Sequence, residues 1–186
     1  GGARGVAGVL VMVSGGRGES VRAGVGGGEV GRTEGGVPIG SVLVHDGRIL
    51  GRGQNRRVQR GSVVLHGEMD ALENAGRQPA IVYQSSTLYT TLSPCPMCTG
   101  AILLYGIPRV IVGENVTFQG DEELLRSRGV EVIVLQEPRF VQIMKDFIAE
   151  NPTPWYQAIG GHGVVWTVNA LQCKLTRSPQ LQVLYL

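Results

Sequence analysis

His66, Glu68, Cys95 and Cys98 are the residues of this chain whose types and spacing can do chemistry. They stand in Leu65-His66-Gly67-Glu68 and in Pro94-Cys95-Pro96-Met97-Cys98. One imidazole and two thiols suit Zn²⁺, and three protein ligands leave the fourth tetrahedral position open to water. Two thiolates and a neutral imidazole cancel the charge of the ion, and zinc can bring the pKa of water from about 16 down to roughly 7. Glu68 is not needed as a ligand; two residues past His66, it is placed to move the proton of that water to a leaving group. A scaffolding zinc site takes four protein ligands instead. The only other cysteine, Cys173, lies in the C-terminal tail, and His45 and His162 have no supporting spacing. Ligand count and the adjacent carboxylate therefore favour a hydrolytic centre.

These residues need elements that converge. Residues 37–44 and 48–53 are apolar runs around His45-Asp46-Gly47, where Asp-Gly supplies the positive φ of a tight hairpin. Residues 66–75 carry Met69, Leu72 and Ala75 at helical spacing and stop at Gly76. A β-rich run at 87–92 precedes Pro94, and Pro96 sits at a first helical position, followed by a helix over 98–105 closed by Gly106. Cys95 and Cys98 then share one face of a helix start, and His66 opens another helix. Two helix N-termini aimed at one point favour thiolate over thiol. The alternation continues with a strand at 109–112, a helix at 121–127, a strand at 130–135 and a helix at 139–150 halted by Asn151-Pro152. Strands alternating with helices indicate an α/β layered domain with a mixed sheet.

Composition divides the chain. With 186 residues and 42% apolar content, one core is expected rather than two. Fourteen of the 29 glycines fall in residues 1–36, so residues 1–30 are expected to be poorly ordered. The apolar stretch 6–13 after Arg4 is too short to span a bilayer. Residues 161–186 lack clear periodicity, with short strands conceivable at 163–168 and 181–186. The net charge of +2 comes from the ends: residues 37–160 hold 11 basic and 12 acidic side chains. That balance argues against a nucleic-acid partner. The local cluster Arg52, Arg56, Arg57 and Arg60 reads as a solvated face. Cysteine usage fits metal binding in a reducing, cytoplasmic setting rather than a disulfide framework.

His-x-Glu followed by Pro-Cys-x-x-Cys is the signature of zinc-dependent nucleobase deaminases. Over residues 34–160 the chain resembles, more narrowly, the fungal-type cytosine deaminases of the cytidine deaminase-like superfamily. The resemblance is carried by Glu34-Gly35-Gly36-Val37-Pro38-Ile39-Gly40, by Leu50-Gly51-Arg52-Gly53 with Asn55, and by Leu88-Tyr89-Thr90-Thr91-Leu92-Ser93-Pro94-Cys95. It continues through Met97-Cys98-Thr99-Gly100-Ala101-Ile102, Tyr105-Gly106-Ile107-Pro108-Arg109, Val112-Gly113-Glu114-Asn115-Val116 and Phe118. It implies a three-layer α/β/α fold with a five-stranded mixed sheet, a homodimer, one catalytic zinc ion per subunit, and conversion of free cytosine to uracil and ammonia. Carried over by motif, His66, Cys95 and Cys98 bind zinc and Glu68 transfers protons. Asn55 bonds the amide edge of the base, the Gly67 N–H meets its carbonyl oxygen, and Ser93 contributes through its backbone. Ile39, Phe118 and Trp155 form apolar walls, although on bare sequence Phe118 and Trp155 read as core or surface aromatics.

Three features depart from that family. Ala158 stands where the family has an Asp that accepts from the exocyclic amine of the base. The amphipathic first helix is replaced by Gly-rich sequence, which predicts an uncovered flank of the sheet, and residues 161–186 have no counterpart. Both ends are thus expected to reflect mis-joined exons or a shifted reading frame. Other readings share the zinc chemistry: deamination of guanine, of a nucleoside or of adenosine in tRNA, or an inactive zinc-binding relic.

Overall fold

The computed structural model describes residues 9–15, 19–25 and 35–160. Five strands form one sheet in the order β4-β3-β5-β6-β7: β3 (Gly40–His45), β4 (Arg48–Gln54), β5 (Ser86–Leu92), β6 (Arg109–Glu114) and β7 (Glu131–Val134). β3 runs antiparallel to β4 and β5, while β5, β6 and β7 are parallel, so the sheet is mixed as expected. Asp46 and Gly47 take φ values of 45° and 72°, the conformation that the Asp-Gly pair predicts for the β3-β4 turn.

Seven helices are described: α1 (Arg57–Arg60), α2 (Gly67–Ala75), α3 (Ala80–Tyr83), α4 (Pro96–Tyr105), α5 (Glu122–Ser127), α6 (Pro138–Glu150) and α7 (Pro152–Ala158). α4 starts on Pro96 and ends at Gly106 in the left-handed conformation, whose N–H closes on the carbonyls of Ile102 and Leu103. α6 likewise begins on a proline and buries Phe140, Met144 and Phe147, one helical stripe. Leu43, Leu88, Val110 and Val112 of the sheet pack with Leu72 and Ala75 of α2, Ala101 and Ile102 of α4, and Leu125 of α5. The opposite sheet face presents Val42, Val44, Tyr89 and Ile111. At the strand ends a second apolar cluster joins Val37, Ile39 and Leu92 to Met144 and Phe147 of α6 and Trp155 of α7.

Val9–Gly15 and Glu19–Val25 pair as an antiparallel hairpin, β1-β2, within the Gly-rich residues 1–30. The run Val9-Leu10-Val11-Met12-Val13 has enough β propensity to outweigh the glycines around it. Nor is the sheet flank uncovered: β2 runs against β3, β4 and β5, and Val42, Val44, Tyr89 and Ile111 are all buried. The helix over 139–150 stops at Glu150, as Asn151-Pro152 predicts, but a further helix follows: Pro152 opens α7, because proline is compatible with a first helical turn. The strands expected at 163–168 and 181–186 lie outside the described residues.

Candidate active site

α2 and α4 begin in the same way. His66 is the N-cap of α2 with φ −68° and ψ 166°, and Cys95 is the N-cap of α4 with φ −71° and ψ 169°. Each gives its carbonyl to the first helical bond, from Asp70 N at 2.9 Å and Thr99 N at 2.8 Å. Neither uses its side chain as a cap, so the imidazole and the thiol are left for another partner. Cys98, one turn into α4, is fully buried behind them.

The three side chains meet. His66 Nδ1 lies 3.4 Å from Cys95 Sγ and 3.8 Å from Cys98 Sγ, with the two sulfurs 3.6 Å apart. All three donor atoms fall within 4.8 Å of one another, and among the described residues no fourth ligand joins them. A soft three-ligand set closed on the protein side fits a zinc ion with one open position. The hydrogen bond between the two sulfurs first, and the His66 imidazole after it, lower the Cys95 pKa to about 4. The same bond, together with burial, pushes Cys98 up.

Glu68, in the first turn of α2, is 4% exposed. Burial raises its pKa above the ordinary carboxylate value, against the opposing influence of its hydrogen bonds. Its Oε1 accepts from Thr90 Oγ1 at 3.0 Å, and Oε2 lies 3.4 Å from Cys98 Sγ. A carboxyl group so held can exchange a proton with whatever occupies the space beside the His66-Cys95-Cys98 triangle.

That space is a narrow pocket of about 20 Å³. Ile39, Asn55, Ser93, Phe118 and Trp155 line it together with His66, Glu68 and Cys95; of the residues expected from sequence, Gly67 and Cys98 do not line it. Phe118 and Trp155 meet edge to face with centroids 6.1 Å apart. Asn55 is fully buried; its Oδ1 accepts from Arg57 N at 3.2 Å, and its Nδ2 has no partner among the described residues. A buried amide donor left unpaired costs about 1–3 kcal/mol and is a physical sign of a ligand contact. Gly67 is the first residue of α2, where helix N–H groups lack internal acceptors. Ser93 spends its hydroxyl on Glu122 Oε1 at 2.8 Å and on the Gly120 N–H at 2.9 Å, and its N–H donates to the Glu114 carbonyl at 3.0 Å, so of its polar groups the backbone carbonyl is the one left for a ligand. Arg56 of the basic cluster pairs with buried Asp70 at 3.0 Å and is not a spare cation.

Residues that sequence reasoning did not single out for the site are Leu92 and Ile159 in the wall, Thr90 behind Glu68, and Glu122. Ala158, marked in the sequence as a departure, is a wall residue at 7% exposure. Glu122, 2% exposed, accepts from Ser93, Asn115 and Arg126 and so ties the 115–121 segment carrying Phe118 to the loop carrying Cys95. Its signal in the sequence was no more than an acidic helix start.

Comparison with known proteins agrees with this geometry. The cytidine and deoxycytidylate deaminase zinc-binding region matches residues 28–114. The cytosine deaminase of Candida albicans is 55% identical over 129 residues, covering 69% of this chain and 86% of that protein. A tRNA-specific adenosine deaminase of Streptococcus pyogenes is 42% identical over 90 residues, and the chain spans 57% of its length. A solved tRNA:A34 deaminase superposes with a TM-score of 0.55 at 28% identity, over 64% of this chain and 94% of that one. The chain therefore belongs to the zinc-binding cytidine deaminase-like family, in its cytosine deaminase branch.

Proposed function

We propose that this protein hydrolyses free cytosine to uracil and ammonia. The observation that carries this reading is the pocket itself: the ligand triangle, a buried carboxyl and an unpaired amide donor enclosed by Ile39, Leu92, Phe118 and Trp155. Apolar walls with Phe118 and Trp155 set edge to face suit a planar ring, and the 55% identity to a cytosine deaminase supports the choice of base.

His66, Cys95 and Cys98 hold the zinc ion. Bound there, zinc supplies a Lewis acid that makes water a nucleophile at neutral pH. Glu68 takes a proton from the attacking water, gives it to the ring nitrogen beside the amine-bearing carbon, and serves again as the amine departs. The C–O bond to that carbon forms, the C–N bond breaks, and the nitrogen leaves as ammonia. Asn55, the Gly67 N–H and the Ser93 backbone read the polar edge of the base. A ring that lacks the matching groups would leave these buried atoms unpaired, which is the source of discrimination. Ile39, Phe118 and Trp155 hold the ring plane and keep bulk water out.

A second reading is favoured by Ala158. A methyl group on the pocket wall offers no acceptor for an exocyclic amine and leaves extra room, which suits another base. Ammonia release measured side by side from cytosine, 5-fluorocytosine, guanine, adenine and cytidine decides between them. Cytosine as the best substrate supports the first reading, and a purine supports the second.

We also infer a homodimer and a catalytic domain spanning residues 31–160. Ile81, Leu104 and Tyr105 are exposed apolar side chains on α3 and α4, a surface suited to self-association, and light scattering on the purified protein tests it. Among the described residues no helix is long and apolar enough to cross a membrane. The free thiols of Cys95 and Cys98 suit a reducing cytoplasm.

A further inference from the structure

Ser41 on β3 and Thr90 on β5 are directly opposed across the antiparallel ladder, and the same row continues to Gly53 on β4. The row lies under the first turn of α2: a Cβ on Gly67 would fall 3.1 Å from Ser41 Oγ. Both hydroxyl residues are buried, at 1% and 3% exposure. Ser41 Oγ donates to Thr90 Oγ1 at 3.0 Å, and Thr90 Oγ1 donates to Glu68 Oε1 at 3.0 Å. A hydroxyl carries one hydrogen. With Ser41 donating into the Thr90 oxygen, the Thr90 hydrogen is directed at Glu68, and the relay has one polarity.

We propose that Thr90, oriented by Ser41, is a positioning residue for the proton-transfer step. Glu68 has three rotatable side-chain bonds, and its carboxyl group must present one oxygen to the reacting atoms. Thr90 captures Oε1 from the sheet side, which turns Oε2 toward the ligand triangle, where it lies 3.4 Å from Cys98 Sγ. The sheet register thus sets the orientation of the catalytic carboxyl. A slip of one residue in the β3-β5 pairing would put the two hydroxyls on opposite faces of the sheet. Supporting groups of this kind change activity by about 10–100-fold when removed. The proposal rests on the reading of Glu68 as the proton carrier.

The test compares Thr90→Val, Thr90→Ser and Ser41→Ala in the zinc-loaded protein, with kcat and KM for cytosine, zinc content and melting temperature on each preparation. Thr90→Val keeps the shape and β propensity of the side chain and removes only the donor. Its kcat is expected to fall about 10–100-fold, with KM within about threefold of wild type and zinc retained. Thr90→Ser is expected to restore kcat to within about threefold, and Ser41→Ala to give a smaller loss of kcat than Thr90→Val. A Thr90→Val kcat within twofold of wild type, or a Thr90→Ser variant as slow as Thr90→Val, overturns the proposal. Loss of zinc together with kcat in Thr90→Val also overturns it, by making the role structural. Should Thr90→Val fail to fold, Thr90→Ala decides on the same terms. If Glu68→Ala itself turns over at the wild-type rate, the underlying assignment of Glu68 falls and takes this proposal with it. If Glu68→Ala is inactive and Thr90→Val is unimpaired, only the proposal falls.

Discussion

Gly53→Ala should cripple the enzyme although residue 53 lines no part of the pocket. A Cβ at this position would sit 2.7 Å from the Asp70 carbonyl carbon and closer still to the Ala71 amide nitrogen and the Gly67 carbonyl oxygen. These are main-chain atoms, so no rotamer change relieves the overlap. Non-bonded carbon atoms settle at about 3.5–4.0 Å, and α2 would have to retreat from the sheet by about an ångström. That helix carries His66 at its cap and Glu68 in its first turn, whereas Cys95 and Cys98 sit on α4. One half of the site would therefore move against the other. Overpacking of this kind costs about 1–3 kcal/mol, a fall of roughly 2–12 °C in melting temperature for a domain of this size. A misplacement near 1 Å can cost about 100-fold in turnover. The assay is kcat at saturating cytosine, with zinc content and a thermal melt on the same sample. Gly100→Ala is the control: among the described residues outside its own helix backbone nothing lies within 4 Å of its added Cβ, and activity should be unchanged. A Gly53→Ala enzyme with wild-type kcat and melting temperature would refute the claim that the close seating of α2 sets the site.

Ala158→Asp places a carboxylate acceptor in the pocket wall. If the base presents its amine there, the new charge-assisted bond is worth about 1.5–3 kcal/mol, or roughly 10–150-fold in kcat/KM for cytosine; a neutral or harmful effect means the pocket is shaped for another base. Zinc binding should release about one thiol proton at pH 7. Cys95, with its pKa lowered to about 4, is already a thiolate, while Cys98, pushed up, still holds a proton that must leave when the metal binds. Calorimetry in buffers of different ionisation enthalpy reads the number directly, and a value near two would contradict the assigned asymmetry. Glu122→Ala strands the buried Ser93 hydroxyl and Asn115 amide without their acceptor. A destabilisation of about 2–4 kcal/mol is expected, seen as a lower midpoint in denaturant unfolding, and an unchanged midpoint would show the network to be dispensable.

The ligand triangle was legible because helix punctuation and ligand chemistry coincide. Gly76, Pro96 and Gly106 mark where α2 and α4 stop or start, and His66 and Cys95 fall on the N-caps between strand and helix. Asp46-Gly47 announced the hairpin for the equally local reason that few residues accept positive φ. Ser41 and Thr90 were silent, because a threonine in a β-rich run signals propensity and nothing more. Their partnership exists only through the β3-β5 register and the seating of α2, both long-range facts. Glu122 failed for a related reason: Asp121-Glu122-Glu123 looks like an ordinary charged first turn until the segment folds back on Ser93. α1 and α3 are single turns, too short for periodicity to register. At α7, Pro152 reads only as the stop of the preceding helix, although Trp155 and Ala158 on the helix it opens complete the pocket wall.

The central claim is a zinc-dependent base hydrolysis in which Glu68 carries the proton, and one paired measurement meets it head on. Zinc per subunit and ammonia release from cytosine are determined for the wild-type protein and for Glu68→Ala. One zinc ion in each is expected, with steady ammonia release from the wild type and none above background from the variant. Undiminished release from Glu68→Ala, or a zinc-loaded wild type that releases no ammonia, would contradict the account.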